Sequence, residues 1–158
     1  MYDKELNEAK AFDDVFKLVK RAAEEKLGLH RAGLTLILAD LPVQILAQHQ
    51  MGSNAILMNR NVLDIVSKGA EDKVDLNSYL FVVLLHEYLH SLGMISEDKV
   101  RKVVIEVVEY AFGGNHPARK ISMNPVGGLD LKMNFIEPTS SEPLLVRDFD
   151  KDSMPFIC

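Results

Sequence analysis

Apolar residues recur at helical spacing through the first part of the chain. Leu6, Ala9, Phe12, Val15, Phe16, Val19, Ala22, Ala23 and Leu27 are separated by Lys, Glu and other polar residues. That period predicts one amphipathic helix over 4–27, stopped by Gly28. The pattern then changes. Leu34-Thr35-Leu36-Ile37-Leu38-Ala39 is an apolar run between Gly33 and Asp40-Leu41-Pro42, as expected of a buried strand. A polar stretch over 48–54 leads into Ala55-Ile56-Leu57-Met58-Asn59, a second short strand. Residues 61–67 read as a helical turn and 69–73 as an exposed loop.

A longer helix is expected over 76–92, with Asp75 as its cap and Gly93 as its stop. Ser96, Glu97 and Asp98 start another, roughly 97–112, because acids favour a helix's first turn. Beyond Val103 that helix is apolar nearly all round, which predicts burial. Gly113-Gly114-Asn115-His116-Pro117 closes it. Five of the six prolines follow from there, and no helical period is visible. Within this tail, 129–135 alternates like a half-buried strand, and Leu144-Leu145-Val146 is a second candidate. No internal repeat occurs. The reading is an α+β fold: a domain over 1–114 and a carboxy-terminal extension over 115–158 packing on it.

Composition changes this picture little. A chain of 158 residues, 47% hydrophobic and 26% charged, builds one domain with its own core. A net charge of −5 argues against nucleic acid as a partner, and no basic patch offsets it. The longest apolar run, 79–85, is too short to cross a bilayer, so no membrane insertion is expected. The amino terminus is charged and has no apolar signal core. Cys158 is the single cysteine, which rules out an intramolecular disulfide. A cytoplasmic protein is the expectation.

The chemistry lies in His86-Glu87-Tyr88-Leu89-His90, an H-E-x-x-H sequence entered through seven apolar residues. Residues four apart stand one turn above each other on a helix, so both imidazoles reach one metal ion. Glu87 then stands beside the water of a zinc hydrolase as its general base. Two histidines on a core helix by coincidence would explain the spacing but not the buried acid between them. A catalytic zinc needs a third protein ligand and an open fourth position. Gly93 extends the motif to H-E-x-x-H-x-x-G, the start of a metzincin signature, whose third ligand would fall on Ser96. That register fails, and Met123 before Asn-Pro is weak evidence for a Met-turn.

Glu106 and Glu109 share a stripe of the next helix, separated from His90 by fifteen and eighteen residues. A buried carboxylate needs a cation or metal, so one of them is expected as the third ligand, Glu109 before Glu106. His116 and Arg119 are candidates for oxyanion stabilisation. Tyr88 points off the metal face, Tyr110 is within possible reach of it, and His30 and His49 read as surface residues.

The motif, followed by eighteen residues and then Glu109, resembles the gluzincin class of zincin metallopeptidases. The order of elements over about 4–112 is similar to the zincin catalytic subdomain, and the compactness to the minigluzincins. Val108 stands where the class has Asn before its ligand Glu, and no Asp follows either acid by four. The resemblance implies a Zn2+ peptidase acting on a peptide or protein substrate, with His86, His90 and Glu109 on the metal. It also implies an edge strand, Asn54-Ala55-Ile56-Leu57, that pairs with the substrate backbone. By the same likeness the tail can lie over the cleft, with Cys158, Asp148, Asp150 or Asp152 reaching the zinc. The alternative is a metal-stabilised regulatory or binding domain that keeps the fold without turnover.

Overall fold

The computed structural model describes residues 2–124 and 142–150, and the fold is α+β. Its elements are α1 Tyr2–Glu8, α2 Phe12–Leu27, β1 Thr35–Ala39, β2 Ala47–His49, β3 Ala55–Asn59, α3 Arg60–Gly69, α4 Lys73–Ser91, α5 Glu97–Phe112, α6 Pro117–Met123 and β4 Leu144–Val146.

The expected first helix is two. Asp14 accepts hydrogen bonds from the backbone N–H of Lys10 (2.9 Å) and Ala11 (3.3 Å), which opens α2 afresh. The carbonyls of Leu6 and Ala9, at the break, are taken by the Asn77 side-chain amide at 2.8 and 3.1 Å. A helical apolar period continues across such a break, which is why periodicity alone joined the two segments.

Helix α4 is the centre of the molecule. Asp72, not Asp75, caps it, accepting from the Asp75 N–H at 3.0 Å. Tyr79 through Leu85 are all buried, and α1, α2, α5, α6 and β2 pack around them. The sheet runs β2-β3-β1-β4, with β1 and β3 parallel and both outer strands antiparallel to their neighbours. Leu36, Leu38, Ile56 and Met58 alternate onto its buried face.

One departure from expectation matters for function. Strand β3 lies inside the sheet, not at its edge, so Asn54, Ala55, Ile56 and Leu57 hold no free edge for a substrate. The edge is β2, a strand too short and polar to announce itself in sequence. It is held there through Asn59, fully buried, whose amide donates to the carbonyls of Leu41, Pro42 and Ile45 at 2.9–3.0 Å.

Of the carboxy-terminal extension expected over the cleft, residues 142–150 lie elsewhere. Strand β4 pairs with β1, at the sheet edge opposite β2. Phe149 stacks on Phe16 (centroids 4.2 Å apart), and the buried Asp150 pairs with Lys20 and accepts from Leu34 N–H. Asp150 is therefore committed to this anchor and cannot serve a metal on α4, and Asp148 is exposed beside it. The expected strand at 129–135, Asp152 and Cys158 lie outside the described residues. Among the described residues no helix is long and apolar enough to cross a membrane.

Candidate metal centre and cleft

The end of α4 explains why three side chains that could hold a metal ion meet. The helix carries His86 and His90 on one stripe, then stops at Ser91. Gly93 turns the chain with φ 103°, a conformation glycine adopts without penalty. Ser96 then caps α5, accepting from the Lys99 N–H at 3.3 Å. Glu97, the first residue of α5, is thereby folded back over the histidines. Its position in the first helical turn also favours a carboxylate.

Glu97 Oε1 lies 2.5 Å from His90 Nε2, and Oε2 lies 3.1 Å from His86 Nε2. One ligand atom from each of the three residues falls within 4.8 Å of the others. His90 Nδ1 is 2.7 Å from the Met94 carbonyl. A carbonyl only accepts, so Nδ1 carries the proton and Nε2 is the nitrogen offered to the cluster. Burial lowers the pKa of His86 against the opposing pull of Glu97, which favours the neutral, ligating imidazole. Partial burial would raise Glu97, but His86 and His90 outweigh it and hold the carboxyl below its ordinary range. Two imidazoles and one carboxylate, one imidazole with its tautomer fixed, form a donor set that suits Zn2+.

Glu87 follows His86 and is only 7% exposed. Burial pushes its carboxyl up to about 7; His90 opposes that rise and Glu97 adds to it. A carboxyl in that range exchanges protons near neutrality.

These residues form the floor of a cleft of about 850 Å³. One wall is β2 with its flanking residues Gln44 to Met51; another is α5, through Glu97, Arg101, Val104 and Ile105; the carboxy end of α6 closes a third side with Ser122, Met123 and Asn124. Among the described residues, Met51, Ile95 and Met123 are large exposed apolar side chains, and all three stand at this cleft. The floor and the β2 wall are tied together by Arg31. Its guanidinium donates to Ser91 O (2.7 Å), one residue past His90, and to Ser53 O (3.3 Å) in the β2–β3 hairpin.

Other expected residues lie elsewhere. Glu106 and Glu109 are both exposed, and Glu109 is paired with Arg119 at 2.7 Å. The helix that looked apolar all round is amphipathic. Val100, Val104, Val107, Val108 and Phe112 form its buried stripe, while the two acids fall on the solvent side. Arg119 is thus engaged with Glu109, and His116 caps α6 and stacks on Phe112, so neither lines the cleft. Tyr88 is buried against Phe16, as its position predicts, and Tyr110 turns away to Glu25. His49 is no surface residue: it is half-buried in the β2 wall with Nε2 2.8 Å from Ser53 O. Glu97 was visible only as a helix start. The helix stop at Gly93 and cap at Ser96, taken together, were the signal that the next carboxylate returns to His90.

Comparison with family models, with curated proteins and with solved structures finds no match to this chain.

Proposed function

We propose that this protein is a zinc-dependent peptide hydrolase of zincin type. The observation that carries the reading is the meeting of His86, His90 and Glu97 with the buried Glu87 in one cleft beside a sheet edge. His86, His90 and Glu97 would hold the ion. Bound there, zinc supplies Lewis acidity, polarising a carbonyl and acidifying a water. Glu87 accepts the proton from the attacking water and returns it to the departing amine, a task matched to a carboxyl raised to about 7. The Met94 carbonyl keeps His90 in the ligating tautomer and orientation. The outer edge of β2 is unpaired among the described residues and accepts an extended peptide by strand addition.

Support also comes from the arrangement of a motif helix beneath a sheet with an antiparallel edge strand, a feature of the zincins that the motif resembles. The carboxylate differs from the gluzincin pattern: six residues separate Glu97 from His90, where that pattern has eighteen before its glutamate. Hydrolysis of a peptide mixture by zinc-loaded protein, followed by mass spectrometry, tests the reading. Cleavage that disappears in Glu87→Gln while zinc is retained is the expected result. Zinc binding with no cleavage of any peptide would favour the metal-stabilised binding domain.

A further inference from the structure

The charges of the cleft are few. Among the described residues that line it, the acids are Glu87 and Glu97, Arg101 is the one Lys or Arg, and the walls beyond them are largely apolar. A divalent ion on His86, His90 and Glu97 would take up the Glu97 carboxylate. That would leave the Arg101 guanidinium, among the described lining residues, open to an anion from outside. Arg101 stands a helical turn beyond Glu97, with its Nε 3.9 Å from that carboxylate and its side chain 68% exposed. Val104 and Ile105 continue the same wall.

We propose that Arg101 determines specificity by binding a carboxylate of the substrate, close to the bond that is broken. The inference rests on the hydrolase reading above. Four residues of helix advance about 6 Å, and an extended peptide advances about 3.3 Å per residue. The carboxylate therefore belongs within about two residues of the reacting carbonyl. It is either the peptide's terminal carboxylate or the side chain of an Asp or Glu. A guanidinium offers paired donors to such a group, whereas neutral walls offer an amide no equivalent. Arg101 is well solvated, so the preference is moderate: about two- to fivefold in affinity.

The test uses full-length, zinc-loaded Glu87→Gln protein and four fluorescent peptides of otherwise identical apolar sequence. One has a free terminal carboxylate, one a terminal amide, and two carry an internal Glu or Gln with an amide end. Fluorescence anisotropy should show tighter binding of one acidic peptide than of its neutral match, and which pair differs identifies the source of the carboxylate. Adding Arg101→Met should abolish the difference with zinc content unchanged, and Arg101→Glu should shift preference to a Lys-containing peptide. Equal affinity for acidic and neutral peptides, or a preference that survives Arg101→Met, overturns the proposal. Turnover by the native protein without carboxylate preference overturns this inference and leaves hydrolysis standing. Selective, Arg101-dependent binding with no turnover by the native protein overturns hydrolysis and leaves Arg101 its role.

Discussion

Replacing Arg31 by Ala should loosen the joint between the metal helix and the wall of the cleft. Arg31 Nη1 donates to Ser91 O at 2.7 Å, a full charge-assisted hydrogen bond at the carbonyl end of α4. Nη2 reaches Ser53 O at 3.3 Å, near the limit for a useful bond. Bonds of this kind contribute about 1.5–3 kcal/mol each, and a cation at a helix carboxy terminus adds about 0.3–1 kcal/mol. The site is half-buried and the second bond is long, so the loss is about 2–3 kcal/mol rather than the sum of the maxima. The backbone N–H of Arg31 still donates to the Tyr88 hydroxyl in the variant, and Ser53 O still has His49. Urea denaturation of the metal-free protein measures the effect. With a slope of about 1–3 kcal/mol per molar, the midpoint should fall by about 1 M or more. Arg31→Lys keeps the charge but not the fork, and should recover about half. A midpoint unchanged in Arg31→Ala would refute the idea that this residue joins helix to wall.

Two further outcomes follow from buried groups. Lys20→Met removes one partner of the buried Lys20–Asp150 pair, whose side chains are 5% and 0% exposed, and should cost about 3–5 kcal/mol in thermal or urea unfolding. A loss below about 1 kcal/mol would mean that the 142–150 segment is not anchored there. Tyr79→Phe deletes a buried hydroxyl that has no hydrogen-bond partner among the described residues. Urea unfolding should show the variant unchanged or up to about 1 kcal/mol more stable, and a loss above about 1 kcal/mol would reveal a bond to that hydroxyl.

Local signals made the strands at 35–39 and 55–59 and the helix at 97–112 readable from sequence: two short apolar runs, and a cap at Ser96 followed by acids. The motif helix was readable from the apolar run 79–85 and the stop at Gly93. Edge strand β2 was not, since Ala47-Gln48-His49 has no alternation and exists by pairing with β3 and by the Asn59 bonds to its approach. Helix α6 escaped because seven residues hold less than two turns of period. Its signals were the His116 cap and Pro117 at the first position. Of the site, His86, Glu87 and His90 are local in sequence and were found together. The third ligand position, the Glu97 carboxylate, depended on where a turn sends the chain. Counting residues to Glu109 could not replace the geometry that brings Glu97 to His90.

The most direct test of that centre is zinc stoichiometry and affinity in the native protein, Glu97→Ala and Glu109→Ala, read by elemental analysis and competition with a chromogenic chelator. One zinc per chain is expected in the native protein and in Glu109→Ala, with affinities within about twofold of each other. Glu97→Ala should weaken binding by about 100-fold or more, since loss of even an outer partner of a metal ligand costs about 10–100-fold. Undiminished binding in Glu97→Ala, with zinc lost from Glu109→Ala, would contradict the centre described here.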